Sequence, residues 1–109
     1  MKRQPSEAQI WLLDYLKERF EPLGVAVFAE YVFCERRWRF DAAVWGELLK
    51  LAFEIEGGLY VKGAHVRGQH YESDMEKYNR AAADGWKVFR WTPRQVLDGT
   101  AKAFIEKWL

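Results

Sequence analysis

Trp38-Arg39-Phe40-Asp41-Ala42-Ala43-Val44-Trp45 and Leu49-Lys50-Leu51-Ala52-Phe53-Glu54-Ile55-Glu56, on either side of Gly46-Glu47, decide how this chain folds. Both runs are apolar with β-branched and aromatic residues, and each is the length of one strand. A short turn with glycine first suits a hairpin, so the two strands are predicted to lie adjacent and antiparallel. Side chains alternate along a strand, which puts Arg39 and Asp41 on one face, and Glu54 and Glu56 opposite to Phe53 and Ile55. A hairpin symmetric about Gly46-Glu47 sets Asp41 across from Ala52 and makes Glu54 its diagonal neighbour, about 7 Å away. Two carboxylates at that separation can hold one ion between them. Oxygen-only ligands suit Mg²⁺ or Mn²⁺, which complete their shells with water and phosphate oxygens. Asp41, Glu54 and Glu56 also make sense as the polar face of a half-exposed hairpin, paired with Arg37, Arg39 and Lys50.

Upstream, Ser6-Glu7-Ala8-Gln9 reads as a capping box, and Ile10, Leu13, Leu16 and Phe20 recur at helical spacing, predicting a helix over residues 6–20. Pro22 and Gly24 end it, and Val25 through Phe33 reads as a strand. Downstream, Gly57 to His70 carries glycines, histidines and basic residues without periodicity, which predicts an exposed loop of a kind that is often functional. A second capping box, Ser73-Asp74-Met75-Glu76, is expected to open a helix that runs through Lys77 and Tyr78 to a C-cap at Gly85. Trp86 to Thr92 alternates as a strand. After Pro93, the apolar residues Val96, Leu97, Ala101, Phe104, Ile105 and Trp108 make one or two terminal helices. The predicted order is α-β-β-β-α-β-α, an α/β fold with a mixed central sheet flanked by helices.

A chain of 109 residues is expected to be one domain, residues 1–109. Half of it is hydrophobic and 17% aromatic, which excludes a disordered chain. The lone Cys34 can form no internal disulfide, and with no paired spacing a zinc site is not expected. Met1-Lys2-Arg3-Gln4 is no targeting segment, and no apolar run approaches the roughly 20 residues of a membrane span. The expectation is a cytoplasmic protein without membrane or nucleotide-cofactor partners. The net charge is +1, so any nucleic-acid surface must come from clustering. Arg36, Arg37 and Arg39 crowd around Trp38 just ahead of Asp41, and Lys62, His65, Arg67, His70 and Lys77 follow the second acid. Around one acidic centre such residues would track a DNA backbone; the plainer account is a solvated, charged strand edge. No base-reading motif stands out, which favours recognition of DNA shape.

The order Asp41, Glu54-Ile55-Glu56, then Asp74-Met75-Glu76-Lys77 and Gly85-Trp86-Lys87-Val88-Phe89-Arg90 resembles the PD-(D/E)xK, or restriction-endonuclease-like, nuclease superfamily over nearly the whole chain. Within it the pattern is similar to small phage and bacterial endonucleases related to Vsr-like and archaeal-type Holliday-junction-resolving enzymes. The resemblance implies a restriction-endonuclease-like core and Mg²⁺-dependent hydrolysis of DNA phosphodiesters. It makes Asp41 and Glu54 the metal carboxylates, the Ile55 carbonyl a further ligand, and Glu7 the match of a first-helix glutamate that serves the metal or its waters. An acid in a first helical turn is also favoured by the dipole alone.

The superfamily's lysine, two residues after the second acid, is here Glu56. Lys77 is the expected substitute, although a cation in a helix's first turn is disfavoured by about 0.3–1 kcal/mol. A partnership of Lys77 with Asp74 or Glu56 is the plainer account, and Lys62 is a weaker substitute. Histidines after the second acidic motif assist at the metal in Vsr-like enzymes, which makes His65 and His70 candidates for that role or for phosphate contact. A four-way junction is two-fold symmetric and needs paired cuts, which implies a homodimer. Tyr31, Phe33, Trp91 and Trp108 are candidates for its interface, with core packing as the competing explanation. A Vsr-like sequence- or mismatch-dependent nicking enzyme and a non-catalytic nucleic-acid-binding domain fit the same scaffold.

Overall fold

The structure, a computed structural model, describes residues 4–57 and 64–109, with the side chains of residues 64–70 left aside. The Ser6 hydroxyl accepts from the Gln9 amide at 3.1 Å and starts α1 (Glu7–Phe20). The buried stripe of α1 is Ala8, Leu12, Leu16 and Phe20, whereas Ile10, assigned to that stripe from spacing, is 48% exposed. Apolar residues run on consecutively from Ile10 to Leu13, so spacing alone does not select the inward face. A 3-10 turn at Glu21–Leu23 and Gly24, at φ +84°, end the helix.

Four strands follow as β1 (Ala26–Val32), β2 (Arg39–Gly46), β3 (Leu49–Ile55) and, after a helix, β4 (Lys87–Trp91). They form one sheet in the order β1-β2-β3-β4, antiparallel except for the parallel β3–β4 pair. The protein is therefore α/β with a mixed sheet, as expected. The β2–β3 register differs from the expected one. Gly46 pairs with Leu49, so the two-residue turn is Glu47-Leu48, and Ala52 faces Ala43 instead of Asp41. Gly46 answers to packing: a Cβ there would stand 2.6 Å from Val25 Cγ1, a contact that only a shift of Val25 would relieve.

The parallel β3–β4 pair requires a crossover, and α2 (Ala64–Ala83) supplies it. Its start corrects the expectation that residues up to His70 form a loop and that Ser73 opens the helix. Ser73-Asp74-Met75-Glu76 lies inside α2, where amides are already bonded to the preceding turn and have no use for a cap. At the other end the expected glycine acts as predicted. Gly85, at φ +89°, donates to the Ala82 carbonyl and Trp86 to the Ala81 carbonyl, the paired bonds of a Schellman ending. Thr92 and Gln95 cap α3 (Pro93–Leu97) reciprocally, and α4 (Thr100–Trp108) completes the chain.

Two apolar clusters pack on opposite faces of the sheet. On one, Ala42, Val44, Leu51, Phe53 and Trp91 meet Leu12 and Leu16 of α1, Val96 of α3 and Ile105 of α4. On the other, Phe40, Ala43 and Ala52 meet Ala81 at the end of α2 and Trp86, flanked by Tyr31 and Phe33. Each fully buried Leu or Phe stabilises the fold by about 1.5–3 kcal/mol. Core packing thus claims Tyr31, Phe33 and Trp91; Trp108 stays 63% exposed.

The alternation of β2 breaks at Asp41. Ala42 and Val44 face the α1 cluster, yet Phe40 packs in the other cluster together with Ala43. β1 inverts at the position across from it, since Val27 packs with the first cluster and Tyr31 with the second. Glu30 lies between them at φ +50°, a left-handed backbone that costs a non-glycine residue about 1–2 kcal/mol. The sheet therefore changes face at Glu30 and Asp41, beside the predicted acidic centre.

Candidate functional site

The β2–β3 ladder stops at Ala42–Phe53, one residue short of Asp41 and Glu54. Beyond it the two acids replace the ladder. The Asp41 amide donates to Glu54 Oε2 at 3.2 Å, and the Ile55 amide donates to Asp41 Oδ2 at 2.7 Å. Each carboxylate thus grips the other strand's backbone, and the pair is held closer than the diagonal placement expected from a Gly46-Glu47 turn. A residue in an extended strand sends its N–H and C=O out by the same edge, so the Ile55 carbonyl leaves on the side where Asp41 sits.

Glu54 is only 7% exposed, and its other oxygen meets α2. Glu54 Oε1 accepts from Lys77 Nζ at 2.8 Å and from the Tyr78 hydroxyl at 2.6 Å. Lys77 is itself largely buried and lies 5.7 Å from the centre of the Phe40 ring. Because α2 begins at Ala64, Lys77 sits well inside the helix and the first-turn dipole argument against it does not apply. Its partner is Glu54, neither Asp74 nor Glu56. Glu56, at the position where the resemblance expects a lysine, ion-pairs with Arg90 of β4. The Arg90 guanidinium also lies 4.4 Å over the Tyr78 ring, closing a circuit from Glu54 through Tyr78 and Arg90 to Glu56. Burial, followed by the hydrogen bond to Glu54, pushes the Tyr78 hydroxyl far above its ordinary pKa, so it is a fixed donor.

Asp41 is tied from the other side by α1. Gln9, buried, donates through Nε2 to Glu30 Oε2 at 2.8 Å and to the Asp41 carbonyl at 3.0 Å. Arg39 reaches Glu30 at 3.6 Å. Burial raises the Asp41 pKa; the Ile55 amide opposes this, while Glu54 and Glu30 add to it and Lys77 lowers it. A half-buried centre with this surplus of carboxylate charge and hard oxygen donors fits a hard divalent cation. Among the described residues no three His, Cys, Asp or Glu side chains stand grouped as ligands. The chain's share of a shell would be Asp41, Glu54 and a backbone carbonyl, the sparse set typical of Mg²⁺.

Glu7 is exposed in the first turn of α1, and among the described residues no hydrogen bond or ion pair joins it to Asp41 or Glu54. Arg36 and Arg37 sit at the tip of the β1–β2 hairpin, and Arg39 stands beside Glu30. Lys62 lies outside the described residues. His65, Arg67 and His70 belong to α2, and their side chains lie outside the described set. Sequence reading missed Gln9, Glu30 and Tyr78. Gln9 was absorbed into a capping box whose second half does not form, because its side chain reaches across to β1 and β2. Glu30 carried a signal, being the one charged residue within an apolar strand. Among the described residues no helix is long and apolar enough to cross a membrane. No protein-family model matches this chain, and no curated protein or solved structure matches it.

Proposed function

We propose that this chain is a metal-dependent DNA endonuclease of the restriction-endonuclease-like kind, hydrolysing phosphodiester bonds in branched DNA as a four-way-junction resolvase. The observation that carries the reading is Lys77 Nζ at 2.8 Å from Glu54 Oε1. A cation absent from its expected place two residues after the second acid is supplied from α2 to the same carboxylate. That geometry favours catalysis over a non-catalytic binding domain that has lost its lysine.

Asp41, Glu54 and the Ile55 carbonyl would hold Mg²⁺, with Mn²⁺ as a substitute. Such an ion polarises the scissile phosphate, acidifies a water and neutralises charge on the leaving oxygen. The reciprocal bonds to the Asp41 and Ile55 amides fix both carboxylates before substrate arrives, so little reorganisation is needed. Lys77 supplies a buried positive charge fixed next to Glu54, placed to orient the attacking water or steady the developing charge. Glu56 is engaged by Arg90. Paired cuts across a two-fold symmetric junction call for two copies of the chain.

The test is a labelled synthetic four-way junction and a matched duplex, each with Mg²⁺ or EDTA, using the parent protein, Asp41→Ala and Glu54→Gln. Paired symmetric nicks in the junction alone, lost with EDTA and in both variants, are expected. Equal cutting of duplex overturns the resolvase assignment in favour of a nicking enzyme. No cutting in any metal overturns catalysis.

A further inference from the structure

The turn joining β1 to β2 carries its cations in an unusual way. The Arg37 amide closes the turn onto the Cys34 carbonyl at 3.0 Å, and the Phe33 amide meets the Trp38 carbonyl at 3.2 Å. Arg37 sits at φ +65°, a conformation that hairpin turns ordinarily give to glycine or asparagine. Turn chemistry therefore does not account for an arginine there. Arg36 lays its guanidinium 4.2 Å over the Trp38 ring. Among the described residues neither Arg36 nor Arg37 makes an ion pair within 4 Å; Arg36, next to Glu35 in the chain, acts on its carboxyl only through the longer-range field. Glu35 is occupied elsewhere: Arg80 of α2 takes both its oxygens, at 2.8 and 3.0 Å, and holds its carboxyl down to about 2. The tip's one acid is thus turned toward α2, and its two arginines are left outward.

A chain of ring contacts also joins the tip to the acidic centre. Trp38 stacks near Phe33 at 6.5 Å, Phe33 stacks on Phe40 at 4.2 Å with planes 4° apart, and Phe40 lies beside Lys77. Arg80, which anchors Glu35, is one helical turn beyond Lys77. Arg37 precedes Asp41 by four residues, at most roughly 13 Å at 3.3 Å per residue. That reach corresponds to about four base steps of duplex at 3.4 Å each.

We infer that the β1–β2 tip, through Arg36 and Arg37, grips the phosphate backbone of the DNA within about four base steps of the bond that the acidic centre cuts. Arg39 has a separate duty, standing next to Glu30 in the centre itself. The inference rests on the nuclease reading and deepens it by naming where the substrate lies. Phosphate contacts of this sort set position and register, and they bind all sequences alike.

The experiment is fluorescence anisotropy of a labelled duplex in EDTA across a salt series, with thermal melts of the same proteins. The variants are Arg37→Gly, Arg36→Gln, the double variant, and Lys102→Gln on α4 as a control for net charge. Each tip substitution is expected to weaken binding and to reduce the slope of log affinity against log salt by about 0.9, and the double by about 1.8. Lys102→Gln leaves the slope unchanged. Arg37→Gly gains the glycine its backbone asks for, so it should melt no lower than the parent while binding more weakly. A purely structural turn residue does not give that opposition of signs. If the parent binds and neither tip variant changes the slope, the tip assignment is wrong while the nuclease reading stands. A parent that cuts no DNA in Mg²⁺ yet loses slope in both variants preserves the tip contact and overturns catalysis. A parent that binds no DNA at low salt overturns both.

Discussion

One hairpin holds two kinds of pairing. From Gly46–Leu49 to Ala42–Phe53, β2 and β3 are joined by an ordinary backbone ladder, with Val44, Leu51 and Phe53 buried in the cluster shared with α1, α3 and α4. One residue further on the ladder is replaced by Asp41 and Glu54, each accepting an amide from the opposite strand. The first half is stabilised by burial, and its cost falls on no charged group. The second half holds two carboxylates out of bulk water, next to a left-handed Glu30, and keeps them there with Gln9, Lys77 and Tyr78. The contrast teaches where this fold gives up stability, and it separates what substitutions in the two halves should do.

The largest effect is expected from Asp41→Asn. Cleavage should fall on the order of 10³-fold, yet the variant should melt no lower than the parent at pH 7.5 without metal. Burial raises the Asp41 pKa, so the folded chain holds that proton more tightly than the unfolded one. Stability therefore falls as pH rises from the ordinary aspartate range through the raised value, and above it the burial cost of the charge is present in full. The advantage of Asn should vanish in acid. A marked drop in melting temperature at pH 7.5 would show that the carboxylate serves structure instead.

Leu51→Ala tests the other half. It should cost about 2–5 kcal/mol, measured by denaturant unfolding, and leave cleavage per folded molecule unchanged at low temperature. Loss of specific activity there would erase the division between the halves. Lys77→Met should slow cleavage on the order of 10²-fold and also destabilise the fold, because it strips a partner from a buried carboxylate. Tyr78→Phe is the mildest, at about 1 kcal/mol, since Lys77 still meets Glu54 Oε1. Its effect on cleavage should be much smaller than that of Lys77→Met, and a reversed ranking in single-turnover rates would make Tyr78 the principal partner of Glu54.

The ladder half was the more legible of the two in the sequence. Apolar, β-branched and aromatic composition on either side of a short turn located both strands and set Asp41 and Glu54 near one another, and Gly85 announced the end of α2. The register escaped because Gly46 looks like a turn glycine, whereas Val25 from a distant segment is what a side chain there would crowd. The start of α2 escaped because capping residues are indistinguishable from helix-interior residues until the preceding backbone is known. Tyr78 and Gln9 are ordinary helix residues by pattern, and their roles exist only once α1 and α2 are laid against opposite faces of the sheet. Lys77 is legible as a substitute cation on the following helix, ahead of Lys62, but its partner Glu54 is not.

The most direct test of the acidic centre needs no substrate. Thermal melts of the parent and of Asp41→Asn at pH 7.5, over a titration of Mn²⁺ or Mg²⁺, ask whether the surplus carboxylate charge is a cation site. The parent should gain about 1.4 kcal/mol at tenfold over the dissociation constant, several degrees in a chain of this size, while Asp41→Asn gains little. Superimposable titrations for the two proteins would contradict the account.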